Sequence, residues 1–184
     1  MYKQLFLTLF LLIFCTPSWS ETLTMDDLVK RKDLYYKKFT DVPFTGKIHG
    51  FKSGGFKKGK KNGEWVSYHK NGQLQYKINY KDGKPEDGPT EWYYENGQVW
   101  GKFNYKDGKL NGLLERFHEN GQLQRKENRK DGKLDGLYES YWWNGQLSKK
   151  GIYKDGKPDG LWVYFYDDGS LIKTETYING VIQK

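Results

Sequence analysis

The chain has 184 residues with a formal charge of +8, and its aromatic residues make up 17% of the composition. Mean hydropathy is −0.93, a value that would suit an unfolded polymer, but disordered segments are poor in aromatic residues and this one is not. Length and composition together exclude a large aliphatic core and predict a thin structure in which big side chains on a sheet surface do the packing.

Residues 1–20 read as a secretory signal. Lys3 gives the positive start, and Leu5 to Cys15 is an apolar run interrupted by Thr8 that is too short to span a bilayer comfortably as a helix. Ser18-Trp19-Ser20 places small residues where signal peptidase requires them, so cleavage is expected before Glu21. Cys15 follows the run, but Phe14 stands before it where lipoprotein processing needs a small residue. The mature chain would then lose Lys3, dropping from +8 to +7, and contain no cysteine in an exported, periplasmic or cell-envelope setting.

Residues 21–41 form an expected N-terminal cap. Thr24-Met25-Asp26-Asp27 has the form of a capping box and predicts a short helix through Leu28 and Val29. Leu34 to Phe39 then reads as a strand. From residue 42 to residue 184 the chain is a repeat array, with a shortened unit over 42–62 and full units starting near 63, 88, 112, 136 and 160. In the shortened unit, Gly54-Gly55 is taken as the replacement for the missing turn.

The full units share two motifs. Asn71-Gly72-Gln73-Leu74 returns at Asn96, Asn120 and Asn144 and, degraded, as Asp168-Gly169-Ser170-Leu171. Its glycines are spaced 25, 24, 24 and 24 residues apart, the extra residue falling in Lys84-Pro85-Glu86-Asp87. Tyr80-Lys81-Asp82-Gly83-Lys84 returns at Tyr105, Arg129 and Tyr153 and ends as Tyr177-Ile178-Asn179-Gly180. A fixed period in this range signals a repeat architecture. Runs such as Leu161 to Tyr166 and Leu171 to Tyr177 are rich in aromatic and β-branched residues and favour strands. Asn-Gly between such runs is a strong hairpin signal, because both central positions of a type I′ turn need positive φ. The fold class is therefore all-β: an elongated antiparallel meander of repeated hairpins behind a short N-terminal cap.

Two hairpin registers remain open. A two-residue Asn-Gly loop, the preferred reading, pairs Glu91 with Lys102, Glu115 with Lys126 and Glu139 with Lys150. It also sets Val66 opposite Lys77, Val163 opposite Thr174, and His69 opposite Leu74. A three-residue loop with a glycine bulge instead puts Tyr68, Tyr93, Phe117, Tyr141 and Phe165 opposite the aliphatic residue that follows each turn.

With these residues in place, the units Gly-x-Trp-x-x-Tyr-x-x-Asn-Gly-Gln-Leu, followed by Tyr-Lys-Asp-Gly-Lys-x-x-Gly, resemble MORN-type repeats in their bacterial, antitoxin-like variant form. The resemblance covers Phe44 to Gly180. It implies a non-enzymatic hairpin array used for protein or membrane contacts, and with a secretory start it fits immunity against a toxin acting in the periplasm or envelope.

No catalytic constellation is read, and neither a metal nor a cofactor is expected. His69 and His118 hold one slot two units apart, roughly 20 Å on strand spacing, too far to share a metal. No serine sits in a nucleophile elbow, and no glycine-rich turn ends in the Gly-Lys-Ser/Thr of a phosphate loop. Lys77, Lys102, Lys126 and Lys150 recur in one slot and would form a ladder on one face. If the job is holding an anionic membrane or cell-wall surface, that ladder carries it. If the job is binding a protein partner, aromatic anchors such as Trp92, Trp142 and Tyr164 dominate. The lysines after each Asp-Gly (Lys84, Lys109, Lys133, Lys157) would line one edge. Trp100, Trp143 and Trp162 add to the aromatic set, but export argues against a nucleic-acid partner.

Overall fold

The computed structural model describes residues 22–183. The expected signal segment and its cleavage point before Glu21 lie outside them. The array is one 15-stranded sheet running in chain order from Gly46–Ile48 to Val181–Ile182 with every pairing antiparallel. The all-β meander of hairpins expected from the repeats is what the chain forms.

The two motifs make two different turns. In Lys-Asp-Gly-Lys, Lys81 pairs directly with Lys84, and both central residues are left-handed, with Asp82 at φ 49° and Gly83 at φ 86°. This is the two-residue geometry whose twist matches that of the flanking strands. It recurs at Asp107, Asp131, Asp155 and Asn179. The Asn-Gly turns are not of this kind. His69 N–H donates to the Gln73 carbonyl at 2.8 Å and Gly72 N–H to the His69 carbonyl at 2.9 Å, and of the three enclosed residues Gly72 alone has positive φ. The preferred two-residue reading is therefore corrected at the turn: the loop has three residues and a glycine bulge, and Tyr68, Tyr93, Phe117, Tyr141 and Phe165 face Leu74, Val99, Leu123, Leu147 and Leu171.

Further from the turn, the register matches the other reading. Val66 faces Lys77, Glu91 faces Lys102, Glu115 faces Lys126, Glu139 faces Lys150 and Val163 faces Thr174. A bulge reconciles the two: Tyr68 pairs with Leu74 and Ser67 with Tyr76, so Gln75 is the extra residue, and Trp100, Gln124, Ser148 and Ile172 are its equivalents.

One face of this single layer carries the core. Trp65, Ile78, Thr90, Phe103, Leu114, Glu127, Tyr138 and Trp162 are buried there. Trp162 shows how a sheet without a second layer buries a ring. Tyr138, Tyr153, Tyr164 and Tyr177 surround it at centroid distances of 5.0 to 6.4 Å. Such ring pairs contribute about 0.5–1.5 kcal/mol each beyond area burial. Beneath it lies Gly151, where a Cβ would come within 2.3 Å of the indole. Gly54 plays the same part under Trp65, at 2.4 Å. Gly54-Gly55 is thus not a turn, as expected from the sequence, but the middle of the strand Lys52–Lys57. Gly54 is small because a tryptophan lies across it, and Gly55 because a Cβ there would come within 2.8 Å of the Asn62 carbonyl oxygen.

At the N-terminal end, Thr24 and Asp27 form the expected capping box: the Asp27 carboxylate accepts from Thr24 N–H at 2.7 Å, and Thr24 Oγ1 accepts from Asp26 N–H at 3.2 Å. The helix it starts is a single 3-10 turn, Met25–Asp27, and Leu28–Arg31 is a strand paired with Leu34–Lys37. The extended course carries Leu28 into the cluster of Ile48, Phe56, Trp65 and Ile78, a burial that continuing the helix would forgo.

Candidate functional site

Because successive residues of a strand point to opposite sides, the register sorts the candidate residues onto two faces. The lysine ladder lies on the face opposite the core. It is a continuous cross-strand row in which Glu91, Lys102, Glu115, Lys126, Glu139, Lys150 and Val163 follow one another. Lys102 and Lys126 each stand between two glutamates. Lys77, whose direct partner is Val66, reaches Glu64 at 2.7 Å, and Lys102 lies 3.8 Å from Glu91. Lys102, Lys126 and Lys150 are matched by Glu91, Glu115 and Glu139, and Lys77 by Glu64, so the band carries no net charge. Opposite charges placed across strands contribute roughly 0.2–1 kcal/mol. The ladder is thus a largely self-neutralised band that fixes register.

Trp92 and Tyr164 lie on the core face. They belong to a second continuous row, Ser67, Tyr76, Trp92, Gly101, Arg116, Arg125, Ser140, Lys149, Tyr164 and Lys173, each residue directly opposite the next. On strand spacing, Trp92 and Tyr164 are roughly 29 Å apart. Trp92 stacks on Tyr76 at 4.4 Å and 24° and tilts against Trp100 at 5.7 Å. Its indole N–H is shielded and meets no acceptor. His69, Gln75, Trp92, Tyr94 and Trp100 line an open cleft of about 450 Å³. Tyr164 has Lys173 over its ring at 4.9 Å; burial, then hydrogen bonding with Tyr177 and Glu175, pushes its hydroxyl far above the ordinary tyrosine range.

Trp142 belongs to neither row. With His69, Tyr94 and His118 it holds a slot at the three-residue turns, where a ring donor reaches a backbone carbonyl of the following unit. His69 Nε2 donates to Tyr93 at 2.8 Å, Tyr94 Oη to Phe117 at 2.8 Å, His118 Nε2 to Tyr141 at 3.3 Å, and Trp142 Nε1 to Phe165 at 3.1 Å. The turn asparagines form a parallel ladder: Asn71, Asn96, Asn120 and Asn144 each donate from Nδ2 to the next turn's carbonyl at Glu95, Glu119, Trp143 and Asp167. These two ladders stitch one unit to the next, so the histidine slot has a structural part and Trp142 shares it, although the residue remains 39% exposed.

Sequence reasoning missed a third group. In the central unit, Arg116, Arg125 and Arg129 cluster on the core face around Glu127, which is 1% exposed. The signal was present in Arg129-Lys130-Asp131-Gly132, where arginine replaces the tyrosine of the motif. At the opposite edge, lysines face one another across four of the two-residue turns, Lys81 with Lys84, Lys106 with Lys109, Lys130 with Lys133 and Lys154 with Lys157, while the last turn sets Ile178 against Val181.

Among the described residues no three His, Cys, Asp or Glu side chains converge to hold a metal ion. Burial pushes Tyr80 up to about 12, and burial together with the Glu139 hydrogen bond does the same to Tyr141, so both hydroxyls stay protonated at neutral pH.

The model of the MORN repeat variant family matches residues 61–82, 86–107, 110–131, 134–155 and 158–179. No curated protein matches. Among solved structures, a point mutant of S. aureus TarM in complex with fondaparinux, alpha-GlcNAc-glycerol and UDP is similar at a TM-score of 0.33 and 13% identity, over 62% of this chain and 21% of that one. A second TarM structure is similar at 0.32 and 12%, over 61% and 21%. The chain spans about a fifth of the TarM chains, and similarity at this level carries no argument about function.

Proposed function

The chain belongs to the MORN repeat variant family, and we propose that it works as a non-catalytic binding scaffold that engages a partner protein through its aromatic face. The observation that supports this most is the division of labour between faces. The lysine row is matched by glutamates, whereas the core-face row carries partly open aromatics, an indole at Trp92 whose shielded N–H has no acceptor in the free chain, and a surplus of cations. Large aromatic and arginine side chains dominate the energetics of protein interfaces. In the fullest form of this reading the chain is exported after loss of residues 1–20, and it confers immunity to a toxin acting in the periplasm or envelope.

The test is capture of the partner from the envelope fraction with two variants. Trp92→Phe keeps the stack on Tyr76 and removes the N–H; it should lower capture with circular dichroism unchanged. Changing Lys77, Lys102, Lys126 and Lys150 together to Gln should leave capture intact and chiefly slow association. Capture that tracks the four lysines and ignores Trp92 would refute the assignment of faces. A second reading, attachment to an anionic envelope surface, is favoured by the facing lysine pairs along the edge of two-residue turns. Changing Lys84, Lys109, Lys133 and Lys157 to Gln would then release the protein from sedimented envelopes, most steeply at low salt, because screening acts over about 8 Å at physiological ionic strength.

A further inference from the structure

The aromatic row changes character in the central unit. Arg116 occupies the slot filled by Ser67, Trp92, Ser140 and Tyr164 in the other units, and Arg125 the slot of Tyr76, Gly101, Lys149 and Lys173. The two arginines stand directly opposite one another, an arrangement that like charges disfavour. One carboxylate, Glu127, serves the cluster. Arg129 Nε donates to its Oε1 at 2.8 Å, while Arg125 Nε lies 3.0 Å from Oε2 without hydrogen-bond alignment. Arg116 has no carboxylate of its own among the described residues. Its guanidinium rests over Trp100 at 5.1 Å and Phe103 at 5.9 Å, and its Nε is shielded and meets no acceptor. Burial, and then Arg125, lowers the pKa of this guanidinium. Past Ser140 in the same row, Lys149 adds a further cation. Serine, tryptophan and tyrosine fill the Arg116 slot elsewhere in the same fold, so nothing in the architecture demands an arginine there. An arginine set opposite another arginine, with its Nε unmet and ring contacts in place of a carboxylate of its own, breaks a local rule, as functional sites do.

We propose that Arg116 and Arg125, with Lys149 two strands further along the row, form an anion site that receives a carboxylate side chain of an acidic partner protein. This rests on the reading that the aromatic face is the binding face. Paired guanidinium groups present planar donors matched to a carboxylate, and Trp100 supports one of them from below. A protein fits the surroundings better than a sugar chain does. Tyr76, Trp92 and Trp100 turn their faces on one another, and the adjoining cleft of about 450 Å³ is lined by Trp92, Tyr94 and Trp100 together with Glu95 and Glu119, so it takes a neutral side chain while the carboxylate goes to the arginines. The formal charge, +8 for the whole chain and +7 without Lys3, steers an acidic partner towards the array.

The test uses the whole chain and two synthetic peptides, one alternating Glu with Leu and one alternating Gln with Leu, titrated calorimetrically. The Glu peptide should bind roughly thirtyfold more tightly than the Gln peptide, and Arg116→Leu should erase that difference. The variant with all four ladder lysines changed to Gln should keep it. In the free protein Arg116→Leu should leave the urea midpoint unchanged or raise it, whereas an arginine retained for structure would lower it. A fall in midpoint, equal affinity for the two peptides, or no binding by either would overturn the site. If the peptides bind equally and Trp92→Phe weakens both, the aromatic face survives and the anion site fails. If neither Trp92→Phe nor Arg116→Leu changes binding, both fail. A sulfated oligosaccharide that displaces the Glu peptide with higher affinity would overturn the assignment to a protein partner.

Discussion

At the scale of single residues, two dipeptides of similar appearance do opposite things. Asp107 accepts a left-handed backbone at φ 53° and builds a two-residue turn with Gly108, while Asn96 keeps an ordinary φ and leaves the left-handed position to Gly97. The asparagine is selected for its amide instead. In Asn144, Oδ1 accepts from Gln146 N–H at 3.0 Å and Nδ2 donates to the Asp167 carbonyl at 2.6 Å. A turn rule applied to Asn-Gly alone could not see the second bond, because its acceptor lies in the next unit. Asn144→Ala should lower stability by about 1–2 kcal/mol in urea unfolding, two net hydrogen bonds. Asn144→Asp should recover roughly half, since Asp168 already makes the same acceptor contact with Ser170. Trp142→Phe should lose the bond to the Phe165 carbonyl and about 1 kcal/mol of stability while leaving partner affinity in place.

At the scale of the element, cross-strand chemistry made the strand centres legible and the turns ambiguous. Glu91, Glu115 and Glu139 each meet a lysine, and that pattern alone specifies the mid-strand register. The turn register differs by one residue, and the bulge at Gln75 and its equivalents absorbs the difference, so each of the two registers describes part of the hairpin. The arginine cluster was not legible as a site, because its unusual feature is a missing partner for Arg116, which is visible only when neighbouring strands are aligned. Two half-buried tyrosines give the strands a pH limit. Tyr80 and Tyr141 are both raised to about 12 in the folded chain, from an ordinary value of 10.0. Between those values the unfolded chain gives up protons that the folded one keeps, so stability is full below pH about 10 and falls as pH rises towards 12. Urea midpoints measured across that window should decline, and Tyr80→Phe should make the decline shallower; an unchanged slope would show that Tyr80 ionises as it does in the unfolded chain.

At the scale of the molecule, the sheet pairs each hairpin with those before and after it in the chain, and stability should behave as a sum over units and their interfaces. Deleting Lys109 to Gly132 removes one unit of 24 residues and brings Lys102 opposite Glu139, restoring the charge row. The shortened chain should keep its β signal in circular dichroism, with a urea m-value smaller in proportion to the surface lost. Deleting half as much should abolish the fold, because strand faces would mismatch. The central claim is that one sheet carries two faces with separate duties, lysine and glutamate fixing register on one and aromatics with Arg116 and Arg125 binding on the other. Nitrogen-15 NMR of the intact chain, titrated with the Glu–Leu peptide, tests it most directly. The account predicts that the indole signals of Trp92 and Trp100 and the Nε signals of Arg116 and Arg125 shift, while the backbone amides of Lys77, Lys102, Lys126 and Lys150 stay in place. Movement of the lysine amides with the indole and guanidinium signals unmoved would contradict it.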